Sequence, residues 1–236
     1  MKIEHSEDPY PHFIIDDFLD VRLARQLAQE FPAPTSSKWF VYDSPLEVKK
    51  AINNWYEFPL TTYQFIQHLV SPSFVAKIKQ LTGVDVYPDY GLHGGGWHLQ
   101  GNGGVLNVHL DYNVHPKTYQ KRKFNFILYL SDWLPQWGGN LELWSHDSDL
   151  NKPKELVRII ECKFNRAILF DASQNSWHGF SNPIQCPDDK YRKSIACYYL
   201  TDREPSDVHR TRALYTPRID QQEDQVILDL IKQRSL

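Results

Sequence analysis

The sequence predicts a mainly β protein with helical support: a double-stranded β-helix, or jelly roll, under an N-terminal helical layer and followed by a C-terminal helix. Three observations predict it. Helical spacing of apolar residues dominates as far as Gly83. From there to residue 201, nine short β-prone runs alternate with turn signals, the spacing of an all-β sandwich or barrel. The end, QQEDQVILDLIKQR (221–234), returns to an amphipathic helical pattern. At 236 residues and 41% hydrophobic content, the chain can bury a sizeable core. No linker, repeat or low-complexity segment divides it. The expectation is one domain over 1–236, with a support layer (1–83), a jelly-roll core (84–200) and a C-terminal extension (201–236).

The opening MKIEHSEDPYPH reads as a tail, and its His-x-Glu (HSE, 5–7) as a decoy. FLDVRLARQLAQEF (18–31) places Leu23, Leu27 and Phe31 on one helical face behind an N-cap candidate, Asp20. PAPTSSKWFVYDSP (32–45) is turn-rich and reads as a long ordered loop. Helices follow over 59–70 and 72–83, the second opened by Pro72 and closed by Gly83. The β-prone runs are then VDVYP, LHGGGWHLQ, GVLNVHL, RKFNFILYL, GGNLELW, LVRIIEC, RAILFD, SWHGF and RKSIACYYLT. The glycines at 94–96 lack the Lys-Ser/Thr and following helix of a phosphate loop.

Composition excludes several classes. The net charge of −3 shows no bias toward nucleic acid. The basic run KTYQKRKF (117–124) reads as a solvated loop. No run of eighteen apolar residues offers a membrane span. Three cysteines at unpatterned spacings fit a reducing compartment, so a cytoplasmic protein without membrane or nucleic-acid partners is expected. Oligomeric state is not written in the sequence.

The chemistry starts at NVHLDYNVH (107–115). With 10 histidines in the chain, on the order of one His-x-Asp match arises by chance, so His109 and Asp111 need context. In a strand, i and i+2 share a face, and two short ligands there can meet one ion. SWHGF supplies His178 from a distant strand, followed by Gly179, whose missing side chain allows close backbone approach. Two histidines and one carboxylate with open positions are the ligand set of a nonhaem Fe(II) oxygenase. His93, His98 and His115 are not expected as ligands, because a fourth would close a position that oxygen needs. His98, Asn107 and Trp177 are substrate-side candidates.

Such a centre needs a cosubstrate carboxylate to be held. YRKSIACYYL places Arg192 and Ser194 on one strand face, and arginine suits planar carboxylate recognition. In FNFILYL, Asn125 and Tyr129 share a face and reach the same group.

HLD (109–111), YLSDW (129–133), GGNLELW (138–144), NRAILFD (165–171), WHG (177–179) and RKS (192–194) together resemble prolyl-4-hydroxylase-type 2-oxoglutarate/Fe(II) dioxygenases. The block from His93 to Pro116 resembles a bacterial and phage subgroup of unknown substrate. The resemblance implies the jelly roll, iron ligands His109, Asp111 and His178, and Arg192 on the distal carboxylate of 2-oxoglutarate. It also implies contacts from Tyr129 and Ser194, and O2-dependent hydroxylation of a C–H bond with release of succinate and CO2. Whether ascorbate is required is not encoded in these motifs. Collagen-type relatives tend to carry lysine at the cosubstrate position, and here that residue is Arg192, so a collagen-like substrate is not implied. The substrate, a small molecule or a peptidyl or prolyl group, falls to the loops 32–57, 112–122 and 145–155. A cupin-like jelly roll that binds a metal or ligand without oxygenase activity is the alternative, and Arg192 with Ser194 discriminates, since a metal-only binder has no use for a carboxylate clamp.

Overall fold

The computed structural model describes residues 2–173, 175–205, 207 and 209–234. Among these are strands β1 (Lys2–Ser6), β2 (His12–Asp16), β3 (Phe40–Ser44), β4 (Glu47–Ile52), β5 (Tyr87–Pro88), β6 (Gly96–Gln100) and β7 (Val105–Leu110). Then come β8 (Lys121–Tyr129), β9 (Leu141–Asp147), β10 (Lys152–Ile160), β11 (Ala167–Asp171), β12 (Trp177–Phe180), β13 (Arg192–Thr201) and β14 (Leu214–Tyr215). The helices are α1 (Val21–Gln29), α2 (Leu60–Leu69), α3 (Pro72–Thr82) and α4 (Gln225–Arg234).

The strands pair antiparallel in the order β1-β2-β11-β8-β13-β6-β4-β7-β12-β9-β10. β4 joins two wings: its Lys50–Ile52 end pairs with β6, while Glu47 and Val48 pair with β7. The sheet thereby curls into the jelly roll. All nine β-prone runs become strands, and the four helices stand where periodicity placed them. The helix ends follow local chemistry. Asp20 accepts from the Arg22 and Leu23 amides to start α1. Ser71 and Pro72 open α3, and Gly83 closes it at φ +74°, a left-handed conformation that costs a glycine nothing.

Strand alternation separates two environments. Phe124, Phe126 and Leu128 of β8, and Ile195, Cys197 and Tyr199 of β13, face the helices and pack with Leu27, Phe65, Leu69, Phe74 and Trp97. Each such side chain, fully buried, contributes about 1.5–3 kcal/mol. The opposite face of the same strands lines the inside of the roll.

Three expectations for the N-terminal third are corrected. The tail is strand β1, in register with β2 from Lys2–Asp16 to Ser6–His12, so His5 and Glu7 form an exposed pair beside a sheet edge. The long loop ends in a hairpin, β3 on β4, because WFVYDSPLEVKKAI is β-branched and aromatic about a Ser-Pro turn. The region is therefore mixed rather than helical. The three cysteines are unpaired and buried. No helix among the described residues is long and apolar enough to cross a membrane.

Candidate metal centre and carboxylate clamp

β7 and β12 are neighbours, and His109 stands directly opposite His178 in their register. Asp111 follows just beyond the end of β7. One ligand atom from each of the three lies within 4.8 Å of the others. Asp111 Oδ1 is 3.4 Å from His109 Nε2, and Oδ2 is 3.9 Å from His178 Nε2. His109 Nδ1 donates to the Asn107 carbonyl at 2.9 Å, and His178 Nδ1 to the Ser176 carbonyl at 2.8 Å. A carbonyl only accepts, so these bonds fix each ring with its hydrogen on Nδ1 and turn the Nε2 lone pair inward. Burial, with the neighbouring His109, pushes His178 down to about 4, which keeps it neutral. Burial works upward on Asp111, but His109, His178 and Arg122 more than offset it and hold the carboxyl well below its usual range. Two imidazoles and one carboxylate converge, which is the donor set that fits Fe(II).

These residues form one wall of a cavity of about 490 Å³. Along β13, Arg192, Ser194, Ala196 and Tyr198 all line it, as the two-residue period requires. Arg192 is 7% exposed, and among the described residues it donates to Cys162 Sγ at 3.0 Å from Nε, Gln100 Oε1 at 2.8 Å from Nη1 and the Tyr129 hydroxyl at 3.1 Å from Nη2, with no carboxylate among them. A buried cation without a counter-charge costs several kcal/mol. A carboxylate bound there offsets that cost. Burial raises Tyr129 far above the usual phenol range, so its hydroxyl keeps its hydrogen. Ser194 stands opposite Tyr129 in the register and lines the same cavity.

The remaining candidates divide. His98 lines the cavity, held neutral by burial and by the charges of Lys49 and Arg192. Asn125 lines it too, but its amide donates to the Tyr198 hydroxyl at 3.1 Å, which donates to Asp111 Oδ2 at 2.9 Å. Asn125 is thus tied through Tyr198 to Asp111 rather than to Arg192. Asn107 is not at the site. Its amide donates to Thr216 O and Gln221 Oε1 and accepts from Arg218. The reason is a bulge: His109 pairs with His178, but Leu106 pairs with Phe180, so β7 carries an extra residue and alternation slips by one. Trp177 is also misplaced. As His178's chain neighbour it points the other way, fully buried with Val108 and Leu110, its indole donating to His146. Gly179, at φ +152°, gives closeness to β7 at the bulge rather than to a metal: a Cβ there would stand 2.7 Å from Leu106 O.

Several residues escaped the motif reading: Gln100, Tyr198, Tyr215 and Arg122 line the cavity, and Cys162 accepts from Arg192 behind it. Tyr215 stacks on His109 with centroids 5.1 Å apart. Arg122 belongs to the run read as a solvated loop, yet it is 1% exposed. A second bulge, between the pairs Tyr199–Phe124 and Leu200–Arg122, turns it onto the inner face. Of the three substrate loops expected, 32–57 lines the cavity through Tyr42, Glu47 and Lys49, and 112–122 through Tyr112 and Arg122. Described residues of 145–155 do not line it, and Arg212, Ala213 and Tyr215 of the C-terminal extension do.

Comparison with known proteins follows the same lines. The model of the 2OG-Fe(II) oxygenase superfamily matches residues 95–200, the stretch from β6 to β13. A Xenopus laevis protein named prolyl 3-hydroxylase OGFOD1 is 31% identical to this chain over 86 residues. That match takes in 36% of this chain and 16% of that protein, so the chain spans about a sixth of its relative. Among solved structures, a Pseudomonas putida prolyl-4-hydroxylase superposes with a TM-score of 0.57 at 17% identity, covering 82% of this chain and 93% of the other. A prolyl hydroxylase from Trichoplax adhaerens, in complex with a hypoxia inducible factor peptide fragment, gives 0.58 at 17% identity over 80% of this chain and 83% of that one. At such identities the likeness is one of fold, and that fold is the jelly roll.

Proposed function

We propose that this protein is a 2-oxoglutarate- and Fe(II)-dependent dioxygenase that hydroxylates a C–H bond of its substrate and releases succinate and CO2. The observation that carries the reading is the pairing within one cavity of the His109–Asp111–His178 cluster with Arg192, a buried cation with no carboxylate among its partners in the described residues. A cupin-like metal binder has use for the first and none for the second.

In this reading His109, Asp111 and His178 hold the iron, which supplies oxygen activation when bound together with 2-oxoglutarate. The chain's own residues do the positioning. Asn107 O and Ser176 O fix the two imidazoles, and Tyr198 orients Asp111. Arg192 holds the distal carboxylate of 2-oxoglutarate by charge-assisted hydrogen bonds, with Tyr129 donating beside it. Ile127, Leu141 and Phe180 line the cavity and exclude water from it. Asp111→Ala abolishes Fe(II)-dependent conversion of 2-oxoglutarate to succinate in this account. Undiminished succinate formation by that variant would refute it.

The substrate is a small molecule or a peptidyl group. The prolyl hydroxylase relatives support the peptidyl or prolyl choice, and the cavity's size admits a single side chain as readily as a small molecule.

A further inference from the structure

We infer that the substrate presents an anionic group, a carboxylate or a phosphate, to a cationic subsite formed by Arg122, Arg212 and Arg234. The inference rests on the oxygenase reading, because that reading assigns Arg192 to the cosubstrate.

The cavity is cationic in a chain whose net charge is −3. Lys49, Arg122, Arg192, Arg212 and Arg234 line it, against two carboxylates, Glu47 and Asp111. Lys49 is neutralised by Glu47 at 2.7 Å. A divalent iron cancels a dianionic 2-oxoglutarate, so four arginines face Asp111. Arg192 belongs to the cosubstrate clamp, which leaves three guanidinium groups for the substrate.

Arg122 is the built part of the subsite. Its guanidinium lies between the rings of Tyr112 and Tyr198, 3.6 Å from each centroid, and donates to the Tyr112 hydroxyl and the His93 carbonyl. That sandwich holds the charge in place at 1% exposure. Its Nε is buried without a partner among the described residues, and its one carboxylate neighbour, Asp111, stands 3.9 Å away. Across the metal ligands, Arg234 lies 5.7 Å from the Tyr215 ring, which itself stacks on His109. Arg212 is exposed at the same wall, and neither it nor Arg234 has an ion-pair partner among the described residues.

This subsite is not the cosubstrate clamp. Tyr198, which covers Arg122, is six residues along β13 from Arg192, on the order of 20 Å of strand. Arg122 therefore lies toward the other end of the cavity from Arg192, and Arg234 comes in beside Tyr215 on the His109 side. Guanidinium forks beside phenols suit both carboxylate and phosphate, and a recessed positive wall raises the local concentration of anions.

The test is calorimetric titration of the full chain, loaded with Ni(II) and 2-oxoglutarate, with inorganic phosphate and separately with acetate. The wild type is compared with Arg212→Gln/Arg234→Gln and with Arg212→Glu, each checked for native circular dichroism. The expected result is binding of at least one anion, weakened about tenfold or more in the double variant and further by the charge reversal. Binding of phosphate alone assigns a phosphorylated substrate, and binding of acetate alone an acidic one. Binding of neither, or binding that the variants leave unchanged, overturns the inference. Failure of 2-oxoglutarate to bind in the loading step is a different result, and strikes the oxygenase reading itself.

Discussion

Tyr198 donates its phenolic hydrogen to Asp111 Oδ2 at 2.9 Å, on the side of the carboxylate away from His109. Burial, with Asp111 close by, raises the phenol well above its usual range, so the group stays a donor. A hydrogen bond to a carboxylate that would hold a metal orients it, and removing one typically costs 10- to 100-fold in metal affinity. Tyr198→Phe is expected to weaken Fe(II) binding by about that factor, measured by chelator competition. Unchanged affinity would make the bond a packing detail.

Arg192 makes a sharper prediction. Charge-assisted hydrogen bonds are worth about 1.5–3 kcal/mol, so Arg192→Ala should raise the dissociation constant of 2-oxoglutarate by about 10- to 150-fold. Arg192→Lys should not restore it, because a point charge cannot reproduce the planar fork set by Gln100 and Tyr129. Equilibrium binding of 2-oxoglutarate to Ni(II)-loaded protein reads both.

Cys162 sits behind that fork, accepting from Arg192 Nε and donating to Gly139 O at 2.9 Å. Cys162→Ala leaves a buried guanidinium N–H without a partner, a cost of about 1–3 kcal/mol. Weaker 2-oxoglutarate binding is expected in that variant, with recovery in Cys162→Ser, which keeps an acceptor. An equal loss in both would mark packing as the cause.

Gly179→Ala tests the bulge beside His109 and His178. The added methyl would stand 2.7 Å from Leu106 O and 2.8 Å from Asn107 O, at a φ of +152° that L-residues rarely adopt. Loss of at least about 2 kcal/mol of stability is expected, together with weakened metal binding as His178 shifts against His109. Denaturant unfolding and metal titration measure the two effects.

Away from the site, Asp16 accepts from Arg166 at 2.7 and 3.1 Å and from Lys163 at 3.0 Å. The Arg166 hydrogen bond leads in bringing its carboxyl down to about 2. A folded value below the unfolded one, near 3.9, gives stability that is full above about pH 4 and lost as the pH falls through 2. The stability gap between wild type and Asp16→Asn should therefore close over that window. A gap independent of pH would show that the pair contributes nothing through charge.

The legible parts of the fold and site were those where strand alternation runs unbroken. Arg192 and Ser194 share a face as β13 dictates, and continuing that count would have reached Tyr198. His109, Asp111 and His178 were marked by residue type and spacing, and the fold brings them together. Asn107 and Arg122 were misread because each lies beyond a bulge, and an inserted residue leaves no mark in the local pattern. Trp177 was readable in principle, since a strand cannot turn two adjacent side chains to one face. Cys162 and Gln100 carried no signal, because each meets Arg192 only in the folded chain, across 30 and 92 residues. The N-terminal strands are short, five or six residues each, and gain their order by pairing, β2 with β11 and β4 with β6 and β7.

The most direct test of the account is an anaerobic titration of the apo-protein with Fe(II) and then 2-oxoglutarate, watching for the weak visible charge-transfer band of an iron-chelated 2-oxo acid. The account predicts that the band forms in the wild type and is lost in His178→Ala. Iron binding without the band would contradict the assignment of Arg192, and a band that survives in His178→Ala would contradict the metal centre.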